Sequence, residues 1–228
     1  MIDFLIDADS YVYRIAYHCQ DLDEYDLKQK LINFMNIELS KYKQYGLTNN
    51  NYLLLLSDKR TFRYDIYPEY KANRKKQLPM LWINELFEIM KQLYPYRLIK
   101  NYEADDLAAS YMKQLHYKPI IIHTDKDLLQ IPGIHIFKNE YIFISQEEAL
   151  EHLYTQIIQG DSTDNIKGIK GYGKVKAKFI IDNTSYVDLI DTLINLFIKQ
   201  EGNEVKGLQN FWLNYNLIKL KTNIMIND

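Results

Sequence analysis

Three short apolar runs, Phe4–Ile6, Leu53–Leu56 and Ile120–Ile122, are each followed closely by an acid, and helical periodicity fills much of the chain between them. Runs of this length read as buried strands, and their alternation with helices predicts an α/β fold with a mainly parallel sheet covered by helices. In open α/β sheets ligands gather beyond the carboxyl ends of the strands. Asp7, Asp58 and Asp125 therefore stand where a site is expected. With Glu103, Asp105, Asp106, Asp127, Asp161 and Asp164 they make nine acids in five short clusters, each at the expected end of a strand or helix. Convergent carboxylates repel one another unless divalent cations neutralise them. An all-oxygen donor set points to Mg²⁺ or Mn²⁺ rather than zinc.

The periodicity predicts helices over Leu27–Tyr45 and Leu81–Leu93. Ile134–Phe137 and Tyr141–Ile144 flank the polar turn Lys138-Asn139-Glu140, an antiparallel hairpin added at one edge of the sheet. Ser145 with Glu148 three residues on forms a capping box that opens a helix running to about Gln159. After Gln146 strands are expected to stop, with helices over Lys174–Ile181, Ser185–Lys199 and Leu208–Leu220. A soft boundary near Gln159 divides the chain into 1–159 and 160–228.

At 228 residues, 47% hydrophobic and 25% charged, the chain can bury one substantial core or a core with a small annexe. The single cysteine, Cys19, cannot form an intramolecular disulfide, and no signal peptide precedes the first apolar segment, so a cytoplasmic protein is expected. No apolar run approaches the ~20 residues of a membrane span. The net charge of −2 hides a segregation: Lys59–Lys76 holds seven basic residues against Asp65 and Glu69, and Lys167–Lys178 holds five lysines and no acid. Either run alone is usually a solvated face. Two basic surfaces beside an acidic centre suit a polyanion held across metal ions.

Within the clusters, a helix start at Glu103-Ala104-Asp105-Asp106 turns its acids in different directions, so that Asp105 can bridge two ions; helix N-terminal charge preference accounts for one or two of these acids equally well. Asp125 and Asp127, two apart, share a side if the strand continues, whereas a capping turn is the commoner fate of such a pair. Lys71 and Arg74, three apart, share a face if they lie on a helix and there suit a phosphodiester. Gly168, Gly171 and Gly173 precede a lysine-rich helix start whose amides can grip backbone phosphate without reading bases. The five histidines have no zinc-like spacing, and neither a Gly-x-Ser-x-Gly elbow nor a Walker phosphate loop occurs.

In order and spacing, LIDADSYVYRIAYH, TFRYDIYPEYKANR, YEADDLAASY, HTDKDLLQI and GDSTDNIKGIKGYGKVKA resemble the 5′ nucleases, the superfamily of flap endonucleases and 5′-3′ exonucleases that includes the nuclease domain of bacterial DNA polymerase I. The resemblance runs from about residue 3 to 180. It implies a PIN-like domain with a basic arch-like region over about 59–95, followed by a helical DNA-binding lobe with a helix–three-turn–helix element. It implies one ion held by Asp7, Asp58 and Asp105 with Asp106 close by, and a second held by Asp125, Asp127 and Asp161, supported by Glu103 and Asp164. Lys71 and Arg74 would address the scissile phosphate, with Arg63, Tyr70 and Lys75 contacting DNA beside them. Gly168, Lys170, Gly171, Gly173, Lys174 and Lys176 would hold duplex, around a K⁺ ion. The implied substrates are flap, nicked or 5′-ended duplex DNA or an RNA–DNA hybrid, cut by a monomer that can work with replication proteins. Departures at Asp9, Lys167 and Lys170 bear on substrate preference more than on catalysis. Two alternatives remain from the residues themselves: a haloacid-dehalogenase-type phosphatase using Asp7 of Asp7-x-Asp9-Ser10 as nucleophile, and a non-catalytic binder of DNA structures.

Overall fold

Phe4, Leu5 and Ile6 are all buried, as a strand requires when both its neighbours and both its faces are covered. The computed structural model describes residues 2–19, 24–74 and 82–226. Strands β1 (Phe4–Asp7), β2 (Tyr52–Leu56), β3 (Tyr96–Leu98), β4 (Ile120–His123) and β5 (Gly133–Phe137) pair in parallel, and β6 (Glu140–Ile144) adds an antiparallel edge, in the order β3-β2-β1-β4-β5-β6. The sheet is thus mostly parallel, as expected. The order reverses direction at β1, which puts the switch-point crevice between the ends of β1 and β4. Strand β3 has no apolar run to announce it; three residues after Pro95 suffice because β2 supplies the pairing. The β5–β6 turn uses only Lys138 and Asn139, with φ of 52° and 70°, the two-residue geometry that twists with its strands; Glu140 already belongs to β6.

Alternation along the strands feeds two cores. Phe4, Ile6, Leu54, Leu56 and Ile122 pack with α1 (Asp9–Tyr17), α2 (Glu24–Ser40) and, beyond the short α3 (Phe62–Ile66), with α4 (Ile83–Leu93). Leu5, Leu55 and Ile121 face the other way, onto α5 (Ala104–Gln114) and onto Leu220 and Ile224 of the C-terminal segment. That segment crosses α5 as a strap: Ser110 donates to the Lys221 carbonyl at 2.8 Å, and Gln114 Nε2 to the Ile224 carbonyl at 2.6 Å. Helix α2 stops earlier than its periodicity predicts, at Ser40, because a 3₁₀ turn at Lys43–Tyr45 closed by Gly46 (φ 97°) takes over. Leu81, the expected start of α4, lies outside the described residues.

A third core joins α6 (Gln146–Gln159), α7 (Lys174–Asp182), α8 (Tyr186–Glu201) and α9 (Glu204–Ile218) through Leu153, Ile157, Ile181, Leu193, Phe197 and Phe211. The predicted capping box opens α6: Ser145 Oγ accepts from Glu148 N at 3.1 Å and Glu148 accepts from Ser145 N at 2.8 Å. Gly207 lets α8 and α9 touch backbone to backbone, since a Cβ there would lie 2.4 Å from Ile198 Cα. Strands do not stop altogether after Gln146: β7 (Gly160–Asp161) and β8 (Ile166–Lys167) form a two-residue antiparallel ribbon between α6 and α7. Among the described residues no helix is long and apolar enough to cross a membrane.

Candidate active site

A cavity of about 590 Å³ opens beyond the carboxyl ends of β1, β2 and β4. Eight of the nine predicted acids line it: Asp7, Asp58, Glu103, Asp105, Asp125, Asp127, Asp161 and Asp164. Asp7 ends β1, and Asp58 follows β2 with its two oxygens accepting from the Lys59 and Asn101 backbone at 2.8 and 2.7 Å. Glu103 caps α5 and Asp105 sits in its first turn. After β4 the chain does not continue as a strand. Asp125 instead caps the 3₁₀ helix Lys126–Gln130, accepting from Asp127 N at 2.9 Å, so the pair is brought together by a turn. Asp161 and Asp164 arrive on the β7–β8 ribbon, where Asp161 Oδ1 accepts from Thr163 N at 2.8 Å and Asp164 N at 3.3 Å.

Burial first, and then the like charges of Asp9 and Asp125, push Asp7 well above the usual carboxylate range. Asp105 is raised in the same way, by burial and then by Asp7, Asp125 and Asp127. Asp127 is pushed up to about 7 by burial and Asp125. Asp161 goes the other way: burial opposes its ionisation, but the hydrogen-bonded Lys126 ammonium outweighs that and lowers it. Among the described residues no three acidic, histidine or cysteine side chains stand close enough to hold one ion as they are. Several oxygens are taken instead by cations: Glu103 by Lys71 at 2.6 Å, Asp164 by Arg74 at 2.8 Å and Asp161 by Lys126 at 2.9 Å. In chemical kind the donor set still fits a hard divalent ion, because it is all carboxylate and its buried members are held against their own repulsion.

Three sequence expectations are corrected by burial. Asp106 is fully buried and is no ion ligand here: Arg63 holds both its oxygens, at 2.6 and 3.0 Å, and Lys221 N adds a third bond at 2.9 Å. Arg63, 2% exposed, is consumed by that pair and by the Leu217 carbonyl, so it cannot face DNA. Tyr70 is likewise buried, its hydroxyl donating to Asp164 Oδ2 at 2.8 Å. Gly168 is half-buried and packs closely as well, since a Cβ there would lie 2.0 Å from the Gln159 backbone. Lys71 and Arg74 reach the cavity from a turn rather than a helix, Lys71 having φ 59°. Lys170, Gly171, Gly173, Lys174 and Lys176 are exposed around the start of α7. Lys75 lies outside the described residues.

The structure also brings in residues that sequence reasoning passed over. Asp9, to which the sequence assigned no part in the metal centre, lines the cavity and accepts from Ser57 N at 3.1 Å, while Ser57 Oγ accepts from Ala104 N at 2.9 Å and so ties β2 to the start of α5. Gln156 of α6 donates to Asp127 Oδ1. No local signal marks Gln156, an ordinary polar residue of an amphipathic helix. Lys126, by contrast, stood in plain view between two acids.

Residues 3–155 match the family model described as 5′-3′ exonuclease, N-terminal resolvase-like domain. The chain belongs to the 5′-3′ exonuclease family. A 5′-3′ exonuclease of Buchnera aphidicola subsp. Acyrthosiphon pisum is 28% identical over an alignment covering 97% of this chain and 87% of that protein. The flap endonuclease Xni of Shewanella woodyi is 31% identical, covering 75% and 74% respectively. In fold the chain resembles the bacteriophage T5 flap endonuclease, whose crystal structure holds DNA and metal ions: the TM-score is 0.71 at 19% identity, over 94% of this chain and 88% of that one. These matches support a nuclease of this family and give no support to a phosphatase or to a non-catalytic binder.

Proposed function

We propose that the protein is a divalent-metal-dependent 5′ nuclease that hydrolyses phosphodiester bonds at or near the 5′ ends of DNA, as a 5′-3′ exonuclease, a structure-specific flap endonuclease or both. The observation that carries this is the gathering of eight acids, Lys71 and Arg74 around one cavity at the switch point of the sheet, in a chain of this family. Bound Mg²⁺ or Mn²⁺ ions would supply Lewis acidity toward phosphodiester oxygens and an acidified water. Asp7, Asp58 and Asp105 would hold one of them and Asp125, Asp127 and Asp161 the other, all six lining the cavity. Lys71 and Arg74 each sit on a carboxylate at the cavity rim, from which they can turn to a phosphate once Glu103 and Asp164 are otherwise neutralised. Burial opposes the charge on Lys71, but the Glu103 and Asp164 carboxylates outweigh it and raise its pKa, which keeps the ammonium protonated.

The finer parts of the proposal rest on the resemblance and on exposed chemistry. Residues 160–228 form the DNA-binding lobe, α6 sharing its core, with the loop before α7 as a helix–three-turn–helix element around K⁺. The exposed lysines at the start of α7 address backbone phosphate. A cytoplasmic monomer acting on flap, nicked or 5′-ended duplexes, on RNA–DNA hybrids and beside replication proteins completes the picture. The test uses such duplexes, labelled at either end, with Mg²⁺ or Mn²⁺, and resolves products by length. Short products from the 5′ end, lost in Asp105→Asn, are expected. Intact DNA in every arm with either ion would overturn the proposal.

A further inference from the structure

Lys126 lies between two of the cavity acids, and its ammonium sits 2.9 Å from Asp161 Oδ2. The other oxygen of Asp161 is already engaged by the Thr163 and Asp164 backbone, so Lys126 is the cation at the free side of this carboxylate. The two partners are placed very unequally: the Asp161 side chain is 8% exposed and that of Lys126 is 60% exposed. A carboxylate so buried is costly to leave uncompensated. A lysine so solvated loses little when its ammonium turns back into water. The same ammonium is attracted by Asp127, one of whose oxygens Gln156 holds, so two acids from different elements, the 3₁₀ helix and the β7–β8 ribbon, act on one exposed charge.

We propose that Lys126 is a tethered stand-in cation for the half of the centre formed by Asp125, Asp127 and Asp161. It neutralises Asp161 while that half is empty and is exchanged for a divalent ion when it fills. The inference rests on the metal-centre assignment above and adds to it a positioning residue that sets how tightly the second ion is held. No covalent bond is made or broken in the exchange: the Lys126–Asp161 hydrogen bond gives way to coordination of the ion, and one monovalent charge swings out as a divalent one enters. Lys126 thereby holds the β7–β8 ribbon against the sheet domain in the metal-free protein, when Asp127 and Asp161 would otherwise repel.

The test follows free Mn²⁺ by electron paramagnetic resonance during titration of wild type, Lys126→Gln and Lys126→Arg, with thermal melts in the absence and presence of Mn²⁺. Wild type should take up two ions of unequal affinity. In Lys126→Gln the weaker step should tighten about tenfold, the scale on which one neighbouring charge changes a carboxylate's cation affinity, whereas Lys126→Arg should match wild type. The metal-free melting temperature of Lys126→Gln should fall, and saturating Mn²⁺ should restore it. A weaker step left unchanged or loosened in Lys126→Gln, or a melting temperature lowered equally with and without Mn²⁺, would reduce Lys126 to an ordinary salt bridge and overturn the inference. A wild-type protein that takes up no Mn²⁺ would overturn the metal-centre assignment and this inference together. Normal two-ion uptake and DNA cleavage with an unaltered Lys126→Gln isotherm would overturn this inference alone.

Discussion

Replacing Arg63 by methionine distinguishes a fold-holding arginine from a DNA-contacting one. The guanidinium is 2% exposed, bonds Asp106 twice and donates through Nε to the Leu217 carbonyl at 2.8 Å. Methionine keeps much of the stem but leaves Asp106 ionisable in a fully buried site. Removing one partner of such a pair costs about 3–5 kcal/mol. Asp106 retains two backbone donors, Lys221 N at 2.9 Å and Glu103 N at 3.3 Å, which places the loss near the lower end, about 3 kcal/mol. For a chain of this length that corresponds to a melting temperature lower by roughly 6–12 °C. The assay is a metal-free melt paired with DNA-binding anisotropy well below the transition, where affinity should change by less than about twofold. Adding Asp106→Leu should recover part of the loss, because a buried apolar pair replaces an unpaired charge. Arg63→Met melting like wild type while losing DNA affinity would refute the reasoning and return Arg63 to the nucleic-acid surface.

Three further outcomes are expected. Asp127 has a folded pKa of about 7, above the value near 4 of an unfolded aspartate, so between those values the folded state holds a proton that the unfolded state has released. The metal-free protein should therefore lose stability as pH rises from about 4 to about 7, and melts at about pH 5 and pH 7.5 should show a smaller loss in Asp127→Asn; equal losses would mean that Asp127 is not the titrating group. Lys174→Ala, at the exposed start of α7, should weaken binding to all DNA sequences alike and reduce the log–log salt slope by about 1, as anisotropy across a salt series would report; a loss confined to one sequence would contradict a backbone contact. Gly207→Ala forces a Cβ to within 2.4 Å of Ile198 Cα and should lower the melting temperature by about 5 °C through separation of α8 from α9, leaving Mn²⁺ uptake intact.

What the sequence disclosed followed from short-range physics. Strands β1, β2 and β4 are legible because a strand buried on both faces must be apolar throughout, and the β5–β6 hairpin because a short polar turn separates two apolar runs. The acids were found because strand ends of a parallel sheet fall on one side, and the adjacency of β2, β1 and β4 then makes Asp7, Asp58 and Asp125 neighbours. Arg63 and Tyr70 were misread because burial of a charged or polar side chain depends on a partner distant in sequence. Arg63 finds Asp106 forty-three positions away, and Tyr70 finds Asp164 ninety-four away. Gly168 shows a related limit of local reading: its close backbone packing becomes visible only when the opposing chain, here Gln159, is in place. Asp125 and Asp127 show local competition, since a side chain able to cap a turn ended the strand that would have aligned them.

The strap over α5 bears on the order in which the molecule can be made. Ser110 and Gln114 find their partners Lys221 and Ile224 110 to 114 positions further along the chain, and Asp106 finds the Lys221 amide 115 further. Closing a loop of that length is an entropic cost met before any contact across it is gained, and contacts of such separation slow folding. On a ribosome, β1 to β6 can be complete while the outer face of α5 still lacks Leu220 and Ile224. The helix that presents Glu103 and Asp105 is therefore fixed late in synthesis, and a nascent chain holds its acids in a loosely seated array until the strap arrives.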